Sequence, residues 1–218
     1  MRQPNELSLY LNEIFHPQGN PTVDAIQNKL KDDNKSGINI SSHEASILQF
    51  FIRTYSIQSI VEIGTLYGYS TYLMAQALPA QGKIFSIEKD PQNHHIATTL
   101  LKQSDQAEKI TLLNGDAIEV LEDISKMGPF DMVFIDANKG GYENYLDWAE
   151  KNTHRGGLIV GDNTFLFGHV YGKGQEHMKV SQNVVLTMQN FNKRLTDPKK
   201  YYSMIIPTDE GMTVSVVK

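Results

Sequence analysis

This sequence predicts an α/β fold built on a largely parallel sheet, and three observations predict it. After Ser56 short apolar runs alternate with segments long enough for crossover helices, the pattern of successive strand–helix–strand units. Glycine stands just before predicted strands at Gly82, Gly128 and Gly156-Gly157, as at helix exits. The last two apolar runs, 201–206 and 212–217, are joined by a short turn. No crossover helix fits there, so they should form an antiparallel hairpin.

The elements follow in order. Leu7, Leu9, Tyr10, Leu11, Ile14 and Phe15 suit one amphipathic helix, ended near His16-Pro17. Pro21 opens a second with Val23, Ile26 and Leu30 on one face. Ser42 reads as the N-cap of a third, with Ile47, Leu48, Phe51 and Ile52 inward. Strands are expected at 59–63, 83–87, 110–113, 132–135 and 158–160, with helices at 69–78, 91–104, 117–126 and 141–151. A further helix at 175–194 precedes the hairpin. The chain reads as one domain over 1–218, with N-terminal helices in 1–55 and an α/β core in 56–218.

Composition narrows the function. Cysteine is absent, which excludes disulfides, zinc thiolates and thiol nucleophiles. The formal net charge is -5 and no basic stripe stands out, which argues against a nucleic-acid binder. No apolar run approaches the roughly 20 residues of a membrane span, and Met1–Glu6 begins no signal-peptide core. A cytoplasmic protein without a membrane partner is the expectation.

The chemistry collects where strands end, at the edge of the sheet where open α/β folds bind ligands. Glu62-Ile63-Gly64 closes the first strand and Gly68 follows with G-x-x-x-G spacing. That spacing lets backbone approach a ligand, yet also suits a plain tight turn. Glu88 ends the second strand, where an acidic residue takes ribose hydroxyls. Asp116-Ala117 ends the third and suits an adenine edge, with Asp116 equally placed to cap a helix. Asp136 ends the fourth; Asp162, followed by Asn163, ends the fifth. Two carboxylates and an amide oxygen suit a hard divalent cation: Mg²⁺, with Mn²⁺ or Ca²⁺ as alternatives. Lys139 lies three residues beyond Asp136 and suits a general base, or else an ion pair with Glu143 at i,i+4. The histidines show no H-x-x-x-H pairing; His43, His169 and His177 could approach the site, and Tyr145 and Trp148 suit the core.

The motifs Glu62-Ile63-Gly64-Thr65-x-x-Gly68-Tyr69-Ser70, Asp136-Ala137-Asn138-Lys139-x-x-Tyr142 and Gly161-Asp162-Asn163-Thr164 resemble those of the cation-dependent class I O-methyltransferases. That family uses S-adenosylmethionine and includes the catechol and caffeoyl-CoA enzymes. The resemblance runs from about Ile38 to the C-terminus. It implies a Rossmann-like sheet of seven strands in the order 3-2-1-4-5-7-6, strand 7 antiparallel, with extra N-terminal helices, and a homodimer. By position it implies that Glu62, Gly64 and Ser70 hold the methionine part and ribose side of the cofactor. Glu88 takes the ribose hydroxyls, Asp116 and Ala117 meet the adenine, Asn39 and Ile40 close over the cofactor, and Asp136 also borders it. It implies Asp136, Asp162 and Asn163 as metal ligands, and Lys139, with Asp136, as the catalytic pair.

Two departures shape the expected substrate. Position 138 is Asn where relatives often carry Asp, and Leu166-Phe167 stands where plant members often carry Trp-Asn. The second argues for a small aromatic with neighbouring oxygens over a bulky CoA ester. Phe165, Leu166, Phe167 and Tyr171, in a loop punctuated by Gly168, Gly172 and Gly174, suit a lid over such a ring, or packing beneath the loop. The rivals are a transfer-RNA hydroxyuridine methyltransferase of the same family, a nicotinamide-dependent oxidoreductase and a non-catalytic binding module.

Overall fold

The computed structural model describes residues 6–174 and 179–218. Seven strands follow the order β3-β2-β1-β4-β5-β7-β6, the order the resemblance implies. The chain divides into two compact units, Met1–Asp116 and Ala117–Lys218.

The first unit contains α1 (Glu6–Phe15), α2 (Pro21–Asp32), α3 (Ser42–Thr54), β1 (Ser59–Ile63), α4 (Tyr69–Ala77), β2 (Lys83–Glu88), α5 (Pro91–Leu101) and β3 (Ile110–Asn114). Its three strands pair in parallel, Ile63 opposite Ile87 and Glu88 opposite Asn114. Asn20 caps α2 by accepting from Thr22 N and Val23 N at 3.1 Å, with Pro21 preset for the first turn. The cap of α3 is Ser41, one residue before the expected Ser42. Ser41 Oγ accepts from Glu44 N at 3.1 Å while Glu44 Oε2 accepts from Ser41 N at 2.8 Å. Of the two serines only Ser41 stands three residues before a Glu, the spacing this reciprocal box needs. Consequently α3 buries Glu44, Ala45, Leu48 and Ile52, while Ile47 and Phe51 stay half-buried. Helix α1 buries no residue, and Leu7, Leu9, Tyr10, Ile14 and Phe15 are exposed on it.

The second unit contains α6 (Ala117–Ile124), β4 (Phe130–Ile135), α7 (Tyr142–Asn152), β5 (Thr153–Asp162), α8 (Gln182–Leu195), β6 (Tyr201–Ile206) and β7 (Met212–Val217). Strand β4 runs parallel to β5, and β7 lies antiparallel between β5 and β6. Val133, Phe134, Ile135, Leu158, Ile159 and Val160 are all fully buried, the continuous apolar reading of strands covered on both faces. Helix α8 starts at Gln182, capped by Ser181, not near Gln175; residues 175–178, with His177, lie outside the described residues. No described helix is long and apolar enough to cross a membrane.

Candidate active site

In the first unit the turn after β1 is organised by a buried carboxylate. Glu62 is fully buried. Its Oε1 accepts from Ser70 Oγ at 2.5 Å, and its Oε2 accepts from Ser86 Oγ at 2.6 Å and from Thr71 Oγ1. Glu62 thus ties β1 to the start of α4 and to β2. Removing it would take an acceptor from all three hydroxyls, at about 1–3 kcal/mol for each one left unpaired, although Ser86 Oγ keeps Thr65 Oγ1 at 2.6 Å. Gly64 (φ 106°) and Gly68 (φ 85°) give this turn its left-handed geometry. At Gly68 a Cβ would also stand 2.5 Å from Leu101 Cδ1.

Glu88 at the end of β2 is 9% exposed. Leu66 N donates to its Oε2 at 2.7 Å and Asp90 N to its Oε1 at 2.8 Å. Leu66 itself is left-handed at φ 52°, an uncommon state for a bulky residue, and the Glu88 contact fixes it. Each carboxylate oxygen retains a second lone pair for a ligand hydroxyl. Asp116 Oδ2 pairs with exposed Lys89 at 2.9 Å, and Ala117 at the start of the second unit is buried. Asn39 donates through Nδ2 to Ile40 O at 2.8 Å, and the Ile40 side chain is buried.

In the second unit Ile135 pairs with Gly161 in parallel register. The next residues, Asp136 and Asp162, therefore emerge side by side, on strands spaced about 4.8 Å apart. Asp162 is fully buried and the Asp136 side chain is 20% exposed. Asn163 follows at φ 53°, a left-handed conformation that Asn tolerates better than most residues.

Lys139 joins this group and not Glu143. Its Nζ lies 3.2 Å from Asp136 Oδ1 and 2.6 Å from the Tyr142 hydroxyl. Tyr142 is fully buried, and its hydroxyl stands 3.0 Å from Ile135 O and 2.9 Å from Asp162 O. Its single proton goes to one of these carbonyls while its oxygen accepts from Lys139. Burial pushes the Tyr142 phenol well above its ordinary value, and the charges of Asp136 and Asp162 push it further. Tyr142 therefore stays neutral at physiological pH. Beside it, Tyr145 donates to Asn138 Oδ1 at 2.6 Å, so Tyr145 does more than fill the core. Trp148 is a packing residue, its ring 5.9 Å from Phe130 and its Nε1 donating to Ser125 Oγ at 2.8 Å.

Among the described residues no three His, Asp or Glu side chains group to hold a metal. The candidate set is two carboxylates plus an amide, an all-oxygen set that suits Mg²⁺, Mn²⁺ or Ca²⁺ better than zinc.

The loop after Asn163 divides its aromatic residues. Leu166 is buried, and Phe165 packs edge-on to Tyr171 at 5.8 Å. Phe165 also fills the space a side chain at residue 211 would need: a Cβ on Gly211 would lie 2.6 Å from its ring. Phe167 is half-buried and Tyr171 is 61% exposed. Of the four apolar residues expected over a substrate ring, Leu166 packs inward and Phe165 is half-buried. Sequence reasoning assigned no role to Tyr142 beyond its place in a motif, although its i,i+3 spacing from Lys139 was visible. It also missed Glu210, 43 positions from its partner Phe167.

Comparison with known proteins fits this geometry. A family model described as O-methyltransferase matches residues 19–218. The catechol O-methyltransferase of Niastella koreensis is 30% identical over 201 residues, 89% of each chain. Caffeoyl-CoA O-methyltransferase 1 of Eucalyptus globulus is 28% identical over 181 residues, 80% of this chain and 72% of that one. The fold matches the O-methyltransferase from Bacillus cereus, solved in complex with SAH, with a TM-score of 0.86 and 24% identity over 97% of both chains. The chain belongs to the O-methyltransferase family, the class I S-adenosylmethionine-dependent enzymes that its motifs resemble.

Proposed function

We propose that this protein transfers a methyl group from S-adenosylmethionine to a hydroxyl of a small catechol-like aromatic, with a divalent cation. The carrying observation is the grouping of Asp136, Asp162 and Lys139, with Tyr142 hydrogen-bonded to Lys139 at 2.6 Å. When bound, S-adenosylmethionine supplies an electrophilic methyl on a positive sulfonium. A cation held by Asp136, Asp162 and Asn163 would supply Lewis acidity toward the substrate oxygens.

The chain's own residues do the rest. Glu88 binds ribose hydroxyls through oxygens already oriented by Leu66 N and Asp90 N. Glu62 acts on the cofactor through the turn it braces, because its oxygens already serve Ser70, Thr71 and Ser86. Asn39, Ile40, Gly64, Ser70, Asp116 and Ala117 complete this reading of the cofactor side, and Asp136 borders both ligands. Lys139 Nζ takes the proton of the attacking hydroxyl. Tyr142 cannot share that task, since its phenol holds its own proton against the backbone.

The whole chain would act as one methyltransferase domain in the cytoplasm. We further assign it a homodimeric state, supported by the exposed apolar side chains of α1; light scattering of a monomer at all concentrations would reject this. A methyl-transfer screen over catechols, hydroxycinnamoyl esters and hydroxylated transfer RNA, with and without EDTA, tests the function. Cation-dependent catechol methylation is expected. Transfer to RNA alone, or none to any oxygen acceptor, would overturn the proposal.

A further inference from the structure

The segment after Asn163 is held in an improbable backbone shape. Asn163 (φ 53°), Leu166 (φ 49°), Phe167 (φ 52°) and Gly168 (φ 84°) are all left-handed within six residues. Gly168 adopts this without steric cost and Asn163 tolerates it, whereas Leu166 and Phe167 hold it only because their surroundings impose it. The surroundings here are the turn between β6 and β7. Thr164 N donates to Gly211 O at 3.0 Å and Phe165 N to Glu210 O at 2.8 Å. Phe167 N donates to the Glu210 carboxylate, at 2.9 Å from Oε2. Asn192 Nδ2 donates to Thr164 O at 2.8 Å, and Thr213 Oγ1 donates to Thr164 Oγ1 at 3.0 Å.

Glu210 stands out in this set. It is 3% exposed, in a turn whose other polar residues, Thr208 and Asp209, are not buried. A buried carboxylate is costly unless it is hydrogen-bonded, and a charge-assisted bond to a backbone N–H is among the stronger neutral-donor bonds. The amide it receives belongs to the residue at the centre of the left-handed run. That residue, Phe167, is half-buried and lies four positions beyond Asn163.

We propose that Glu210 is a positioning residue for the acceptor substrate: its carboxylate fixes the Phe167 backbone and thereby aims the Phe167 ring at the bound aromatic. Glu210 touches neither substrate nor cofactor in this scheme. It converts a strained loop into one fixed wall, and acceptor preference depends on that wall. This inference rests on the proposed catechol-type activity for its kinetic consequence but not for its structural one.

The test therefore has two arms. In the first, amide hydrogen exchange is followed in the ligand-free protein across 163–171. Glu210→Ala and Glu210→Asp, which lacks the reach, should speed exchange at Phe167 by at least about tenfold, as loss of a charged acceptor implies. Glu210→Gln keeps an acceptor oxygen and should restore protection. In the second arm, Glu210→Ala should raise KM for a catechol several-fold, by no more than Phe167→Ala does, while the calorimetric Kd for S-adenosylmethionine stays within about twofold. In a Phe167→Ala background the same change should add less than about twofold, because the ring it aims is gone. Unchanged exchange at Phe167 in both Glu210→Ala and Glu210→Asp overturns the proposal. So does a KM rise that Glu210→Gln fails to reverse, or one fully additive with Phe167→Ala. A wild-type enzyme that methylates no catechol would sink the functional reading instead, with the exchange arm still deciding the role of Glu210.

Discussion

Lys139 and Tyr142 form a hydrogen-bonded pair, 2.6 Å from Nζ to hydroxyl oxygen, in which the tyrosine is the fixed partner. Tyr142 is immobilised by burial and by the carbonyls of Ile135 and Asp162. Its hydroxyl therefore transmits the geometry of the β4 and β5 ends to the lysine. Lys139→Met should lower kcat by about 10²–10⁴, the usual contribution of a positioned acid–base group, with little change in cofactor affinity. Tyr142→Phe keeps the ring, which packs at 4.9 Å on Phe191, and removes only the hydroxyl. A smaller loss, about tenfold in kcat, is expected. Equal kcat in Lys139→Met and wild type at saturating substrate would remove Lys139 from the chemistry.

The paired carboxylates make a metal requirement testable without kinetics. Asp162 is fully buried beside Asp136, and two such charges repel unless a cation lies near. Adding Mg²⁺ or Mn²⁺ should raise Tm in the wild type by linkage and should leave Asp162→Asn unmoved. EDTA should abolish methyl transfer, and either cation should restore it. Full activity of chelated protein would refute the assignment of all three ligands.

Glu88 has an observed contact and a proposed one. Its carboxylate fixes the left-handed Leu66 turn, and under the proposed function it would also take ribose hydroxyls. Glu88→Ala should weaken S-adenosylmethionine binding by ~2–4 kcal/mol, from lost charge-assisted hydrogen bonds and a loosened turn. Glu88→Gln keeps an acceptor for Leu66 N and should lose less. Calorimetry on the two variants distinguishes them; tight NADH binding in place of S-adenosylmethionine would point to a different cofactor altogether.

Much of this was legible in the sequence for local reasons. Apolar runs such as Met132-Val133-Phe134-Ile135 mark strands, and counting to their ends places Asp136 and Asp162 at one edge. Gly156-Gly157 reads in sequence as a helix exit before β5, yet β5 begins at Thr153. Gly156 is left-handed at φ 87°, where the register between β4 and β5 shifts, so it serves an irregularity inside the strand. A Cβ on Gly157 would lie 2.9 Å from Asp131 O. Nothing in a single strand's pattern distinguishes a bulge from a boundary. Glu210 was illegible for a different reason: its meaning lies in Phe167, which only the hairpin's return brings near.

The same irregular region carries a pH-sensitive contact. His154 Nε2 lies 2.7 Å from Asp131 Oδ1 and Nδ1 2.7 Å from Arg155 O. Both neighbours are acceptors, so the doubly protonated ring satisfies both. Bonding to the Arg155 carbonyl, then to Asp131, raises the His154 pKa above its ordinary 6.5 despite some burial. A raised folded value means the contact stabilises fully below the unfolded pKa. That contribution is lost as pH rises through the folded value. The ring is 39% exposed, so the effect is small, under about 1 kcal/mol. His154→Gln should lower Tm at pH 5.5 and approach the wild type at pH 8.5. A larger deficit at the higher pH would contradict the sign.

Acceptor size should follow from the loop after Asn163. With Leu166 buried and the half-buried Phe165 set against Tyr171 and Gly211, the proposed function gives Phe167, also half-buried, to the substrate, with Tyr171 as the outer ring. A single aromatic wall suits one planar ring, and no polar side chain at 166 or 167 offers a hydrogen bond to a longer acyl chain. Phe167→Ala should raise KM for a catechol several-fold, consistent with the roughly 0.5–1.5 kcal/mol of an aromatic contact beyond its area, and leave cofactor binding nearly unchanged. Catechols and caffeic acid should then exceed caffeoyl-CoA in kcat/KM. A tenfold preference for the CoA ester, about 1.4 kcal/mol in transition-state binding, would mean that contacts outside this loop carry the long chain, and that Leu166-Phe167 does not set substrate size.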